Sequence, residues 1–166
     1  MVLDMKILIA YAGKSGTTEK CAKLLAEKIT GELVDVVDLC INTPNAKEYD
    51  TVVIGSNIHM GAIHKKARKF MQDHESSLIE TRTAYFFCCG FADKKDEIIA
   101  MNYPGKYKNN AIAIECFGGE MDMNQLHGMD KFIAKLVTRA TANQGIPAPS
   151  IKLDRIEALA QVIKSK

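Results

Sequence analysis

A chain of 166 residues with 47% apolar and 25% charged residues has the composition of a single globular domain, which at about this size buries roughly 70% of its unfolded surface around one core. Its 22 Lys and Arg against 20 Asp and Glu leave a formal net charge of +2 without a basic cluster, which excludes the nucleic-acid-binding and intrinsically disordered classes.

No apolar run approaches the about 20 residues of a transmembrane helix. Residues 1–6 hold Asp4 beside Lys6 where a signal peptide needs a basic n-region, so the expected address is cytoplasmic. The five cysteines, Cys21, Cys40, Cys88, Cys89 and Cys116, are an odd number without a C-x-x-C pair and read as reduced thiols, with no metal site among them.

In chain order, residues 5–11 form a nearly all-apolar run stopped by Gly13, which fits a strand buried on both faces of a parallel sheet. Residues 17–29 place Cys21, Ala22, Leu24, Leu25 and Ile29 at helical spacing, with Gly31 past the end as a C-cap. A second strand at 33–39 ends in Asn42-Thr43-Pro44-Asn45, and a third at 51–55 is followed by a helix at 63–74. A fourth strand at 83–89 precedes a short helix at 94–101, and residues 111–117 make a fifth, closed by Gly118-Gly119. Helices at 129–141 and 153–163 flank a Gly and Pro loop at 143–149. Five buried strands alternating with helices predict one domain over 1–166, a three-layer α/β sandwich on a parallel sheet. Ligands of such sheets sit beyond the carboxyl ends of the strands, which singles out the loops after strands one, three, four and five.

Directly after the first strand, Gly13-Lys14-Ser15-Gly16-Thr17-Thr18-Glu19 feeds small residues and hydroxyls into a helix N-terminus. Free amides, hydroxyl donors and the positive end of the helix dipole together suit a phosphate, with Ser15, Thr17 and Thr18 as donors and Gly16 allowing close approach. The same residues also serve a helix that merely needs capping. Two nucleotide turns are excluded: a Walker A loop requires glycine where Leu8 stands, and the G-x-G-x-x-G dinucleotide turn requires it where Tyr11 stands. A response-regulator receiver needs acidic residues where Tyr11-Ala12 ends the strand.

The run Tyr11-Ala12-Gly13-Lys14-Ser15-Gly16-Thr17-Thr18, with Ala22 beyond it, resembles the flavodoxin phosphate signature. It departs from it at Gly13, where flavodoxins usually carry Ser or Thr, and at Ala10, where they prefer a larger apolar residue. Residues 49–61, from Tyr49-Asp50 through Val52-Val53-Ile54-Gly55 to Gly61, are similar to the flavodoxin-type, menaquinone-dependent protoporphyrinogen oxidases, and the likeness extends over most of the chain.

The resemblance implies a flavodoxin-like strand order of 2-1-3-4-5 and flavin mononucleotide (FMN) as cofactor, its phosphate held by Lys14, Ser15, Gly16, Thr17 and Thr18. Ser56, Asn57, Ile58, His59, Met60 and Gly61 would border the flavin ring on one side, and Cys89, Gly90, Phe91 and Ala92 on the other, where backbone groups tune its potential. His59 also reads as a solvated loop histidine, and His64 as a surface one. Neighbouring strand residues point to opposite faces, so Cys88 and Cys89 read as small core residues and not as a dithiol pair. Met121, Met123 and Met129 offer apolar side chains for packing or for a substrate mouth.

The function implied is an FMN oxidoreductase that oxidises an organic substrate, protoporphyrinogen IX by resemblance, and delivers the electrons to a quinone. Catalytic residues are not assigned. The segment 94–110 is several residues shorter than its counterpart in the oxidases, which bears on tetrapyrrole specificity. A quinone acceptor is compatible with peripheral contact at the inner face of a membrane. The alternative is an electron carrier that passes electrons to a protein redox partner and has no substrate of its own. Such carriers are usually strongly acidic, and a net charge of +2 opposes that mode. A third reading, a module that keeps the fold without the cofactor, is opposed by the intact Ser15, Gly16, Thr17 and Thr18.

Overall fold

Ile7, Leu8, Ile9, Ala10 and Ala12 are fully buried in β1 (Lys6–Ala12), so successive side chains on both faces of this strand need cover. A parallel sheet with helices on each face supplies it. The computed structural model describes residues 3–90, 92–119, 136, 139 and 150–165. Besides β1 it contains β2 (Leu33–Asp38), β3 (Thr51–His59), β4 (Ala62–Ile63), β5 (Arg82–Cys88) and β6 (Ala111–Cys116). The parallel path runs β2-β1-β3-β5-β6, with β4 paired antiparallel to β3. Once β4 is set aside, this is the order 2-1-3-4-5 expected of the sequence.

On one face, α2 (Lys65–Asp73), α3 (Glu75–Glu80), α4 (Lys95–Asn102) and α5 (Gly105–Lys108) close over Leu8, Ala10, Val52, Ile54, Tyr85 and Phe87. On the other, α1 (Thr17–Lys28) and α6 (Leu153–Lys164) close over Ile7, Ile9, Val53, Ala84 and Phe86. Each buried side chain of this size contributes about 1.5–3 kcal/mol, so the two slabs supply most of the folding drive. The guanidinium of Arg82 ties the second slab together. It donates to the carbonyls of Ile163 at 3.1 Å, Val162 at 3.2 Å and Ser165 at 2.7 Å, capping the carboxyl end of α6.

Several elements differ from expectation. The third strand does not end at Gly55 but runs on to His59. Gly55 is a glycine for packing reasons, because a Cβ there would lie 2.1 Å from Cζ of Phe86, whose ring stacks on Phe117 at 4.6 Å. The helix expected at 63–74 begins at Lys65, since Ile63 belongs to β4, and the short α3 and α5 were not anticipated. The expected helix at 129–141 falls outside the described residues apart from Leu136 and Arg139, both helical.

Ala12, Ser56, Phe87 and Cys116 lie side by side across the sheet by their pairing register. The loops that follow β1, β3, β5 and β6 therefore emerge along one edge. The chain leaves β1 for β2 on one side while β3 flanks it on the other, so the strand order reverses at β1, which is where open α/β sheets bind ligands.

Candidate ligand site at the carboxyl edge of the sheet

The turn after β1 is built around Gly16 and Thr18. Gly16 is the N-cap of α1 in the left-handed region (φ 84°, ψ −12°) and has no side chain with which to cap the helix. Thr18 is 1% exposed, and its Oγ1 meets no nitrogen or oxygen partner among the described residues, with only the soft Cys88 thiol beside it. A Cβ on Gly13 would lie 2.7 Å from that oxygen and 2.8 Å from Thr18 Cβ, so the glycine that departs from the flavodoxin pattern is required by the threonine packed against it. Thr17 is buried, Ser15 is half-buried and Lys14 is exposed. Tyr11, buried at the end of β1, has its hydroxyl pushed up to about 12 by burial and then by the nearby Asp38 and Glu19 carboxylates, so it stays a neutral phenol.

The segment after β3 is a tight hairpin and not an open loop. Ile58 pairs with Ile63 and His59 with Ala62. Met60 (φ 50°) and Gly61 (φ 80°) form the two-residue turn, both in the left-handed region as a type I′ hairpin requires. Met60 is 87% exposed at the tip and His59 is exposed beside it. Ile58 packs on the core, and Asn57 keeps a buried Oδ1 without a partner among the described residues. Ser56 is 2% exposed, and its hydroxyl is engaged twice, donating to the Asn57 carbonyl at 2.8 Å and accepting from the His64 amide at 2.7 Å.

After β5, Cys89 packs on one core slab while Cys88 packs in the other, which agrees with two small residues facing opposite ways. The Cys88 thiol is pushed well up by its hydrogen bond with Cys21 and by burial, so it is not an activated nucleophile. All five cysteines are free. The Cys89 amide donates to the Gly118 carbonyl at 2.8 Å, and a Cβ on Gly119 would lie 3.5 Å from the Gly90 nitrogen, so the loops after β5 and β6 are laid against each other. Gly90 is exposed and Ala92 opens a 3-10 turn. Phe91, Met121, Met123 and Met129 lie outside the described residues.

The loops after β1, β3 and β5 thus emerge along one edge: a turn carrying hydroxyls, a hairpin with Met60 at its tip, and the small residues Cys89 and Gly90. A model of the flavodoxin domain matches residues 8–145. The chain belongs to the flavodoxin-domain family. A protoporphyrinogen IX dehydrogenase [quinone] of Escherichia coli (strain K12) is 25% identical over 149 residues, covering 84% of this chain and 82% of that protein. Among solved structures, an archaeal flavodoxin is similar with a TM-score of 0.51 at 18% identity, over 84% of this chain and 98% of its own. A flavoprotein of Lactobacillus acidophilus NCFM, solved in complex with FMN, gives a TM-score of 0.53 at 17% identity, over 68% of this chain and 93% of its own.

Three residues of this flavodoxin domain were not singled out for the site by their sequence context. His64, read as a surface residue, is half-buried and is the N-cap of α2, its Nδ1 accepting from the Lys66 amide at 3.1 Å. The predicted helix at 63–74 placed it inside the first turn, and Ser, Thr, Asp and Asn are the usual caps, so nothing marked it as the N-cap. Cys40, exposed, lies by the turn after β1, where the Gly13 amide hydrogen-bonds its sulfur. Asn102 reaches the hairpin from α4, 39 residues along the chain from Ile63. Among the described residues no group of three or more His, Cys, Asp or Glu could hold a metal, and no helix is long and apolar enough to cross a membrane.

Proposed function

We propose that this flavodoxin domain binds FMN at the carboxyl edge of its sheet and is an oxidoreductase that moves electrons from an organic substrate to a quinone. The observation that carries the reading is Thr18. A buried hydroxyl with no nitrogen or oxygen partner costs about 1–3 kcal/mol, and Gly16, two residues ahead of it, has no side chain to keep an anion from the helix N-terminus. A phosphate relieves that cost, and Lys14, Ser15 and Thr17 complete its surroundings as donors.

Bound there, FMN supplies the redox chemistry, and the chain's part is to hold and shape it. The β3–β4 hairpin presents Asn57, Ile58, His59, Met60 and Gly61 to the ring, and Cys89, Gly90, Phe91 and Ala92 border it from the β5 side. The buried Asn57 Oδ1 offers an unused acceptor to a ring N–H. Ser56 serves this arrangement through its bonds to Asn57 and His64, with its hydroxyl directed into the protein.

Protoporphyrinogen IX is the substrate this reading favours, supported by the Escherichia coli relative, a protoporphyrinogen IX dehydrogenase [quinone] similar over most of both chains. The experiment is the absorption spectrum of purified protein, followed by anaerobic mixing with protoporphyrinogen IX and then with a soluble menaquinone analogue. Bleaching of the flavin bands by the first and recovery with the second is the expected result. A coloured protein that protoporphyrinogen fails to bleach keeps the flavin and removes the tetrapyrrole.

A further inference from the structure

A two-residue turn on a two-residue ladder does not hold its own shape. β4 offers only Ala62 and Ile63 to pair with β3, and a short isolated hairpin is marginal in water. The turn residue Met60 also sits at φ 50°, a region that only glycine, asparagine and aspartate enter readily. Something outside the hairpin has to fix it.

That anchor is the side chain of Asn102, 8% exposed, at the last position of α4. Its Oδ1 accepts the Ile63 amide at 3.0 Å, and its Nδ2 donates to the Gly61 carbonyl at 2.8 Å and to the Ile98 carbonyl at 2.9 Å. One amide thus bonds the turn, the β4 arm and its own helix. The geometry is one only asparagine fulfils at this size, since it needs an acceptor and two donor directions on a short stem. The hairpin is also pinned at its base, where Ser56 Oγ accepts the His64 amide. The flavin-facing residues between these two anchors are therefore set from α4.

We propose that Asn102 is the positioning residue of the flavin ring site: by locking the Met60–Gly61 turn it preorganises the hairpin against which the ring docks, without touching the ring itself. This rests on the reading of the site as a flavin site. Preorganisation acts on the ring and not on the phosphate, so its loss weakens FMN and riboflavin by the same factor. Variants in the phosphate turn weaken FMN alone.

The test is a flavin titration of the apoprotein with both ligands. Asn102→Ala and Asn102→Asp are expected to weaken FMN and riboflavin equally, by about tenfold. Met60→Asn creates the Asn-Gly pair that type I′ turns prefer. In that background the penalty of Asn102→Ala, measured against Met60→Asn alone, is expected to shrink towards nothing, because the turn then holds itself. Should Asn102→Ala fail to fold, Asn102→Asp decides alone, since it keeps the volume and the acceptor for Ile63 while losing both donated bonds.

Unchanged affinities in the Asn102 variants overturn the proposal while leaving FMN binding in place. So does a penalty that persists in full with Met60→Asn. Wild-type apoprotein that binds neither flavin overturns the functional reading itself, and the proposal with it.

Discussion

Thr18 is held under two opposed demands. In the apoprotein its buried Oγ1 is a liability of about 1–3 kcal/mol, while as donor to the proposed phosphate it would contribute about 1.5–3 kcal/mol through a charge-assisted bond. Thr18→Val keeps the shape that fills the space against Gly13 and removes the oxygen. The expected outcome is apoprotein that melts at the same temperature or higher, with FMN weakened roughly tenfold to a hundredfold and riboflavin unaffected. Melting curves and fluorescence-quenching titrations read the two effects separately. A fall in both would make the threonine structural. His64 carries a second prediction. Burial first, then the Lys14 and Lys65 ammonium groups, lower its imidazole from 6.5, and neutral Nδ1 is what accepts the Lys66 amide. A base whose folded value is depressed stabilises fully above its unfolded value and loses that contribution as pH falls below it towards the folded one. Stability is therefore expected to decline below about pH 6.5. His64→Asn, which keeps a capping acceptor without titrating, flattens that part of the decline in urea midpoints measured at neutral and mildly acid pH.

Among elements, the strands that were legible are those whose apolar runs are buried on both faces, β1, β3 and β5 above all, because a two-sided hydrophobic run admits few other fates. The strand-to-helix turn after β1 was legible for a related reason: its small and hydroxyl residues are consecutive in the chain. What sequence could not show is set by contacts between distant residues. Gly55 looked like a strand end, and only the Phe86 ring lying over it explains why the strand continues. The hairpin at Met60–Gly61 was hidden because methionine is a poor residue for its φ, and Asn102 was hidden because its partners lie in another element. Arg82 belongs with these, since it precedes the strand predicted at 83–89 and its three bonds go to the end of α6, about 80 residues along the chain. Arg82→Lys keeps the charge and loses the planar fork. Chemical denaturation is expected to show a loss of about 1–2 kcal/mol with FMN affinity unchanged. Lowered FMN affinity at intact stability would mean that α6 reaches the site.

At the scale of the whole molecule, the placement of the aromatic residues argues for the mode of electron transfer. The chain has no tryptophan, and Tyr85, Phe86, Phe87, Tyr103, Tyr107 and Phe117 are all buried in the two slabs. Burial pushes the Tyr107 hydroxyl up to about 12 and those of Tyr85 and Tyr103 upward with it. Among the described residues of the candidate site, the hairpin brings His59 and Met60 to the exposed tip, where they offer a surface to a flat apolar partner. A net charge of +2 gives little electrostatic steering towards a charged protein partner. Together these predict that the FMN-loaded protein, reduced with dithionite, is reoxidised by a soluble menaquinone analogue with a rate that saturates in quinone. Because the acceptor is neutral, the saturating curve should be nearly the same at about 50 mM and about 500 mM salt, across which surface charges are progressively screened. A carrier that meets its partner through charge would instead show a linear dependence on quinone and a salt-sensitive exchange with a protein acceptor. Stopped-flow single turnovers at the two ionic strengths separate these cases, and an unsaturable dependence on quinone would return the molecule to the carrier class.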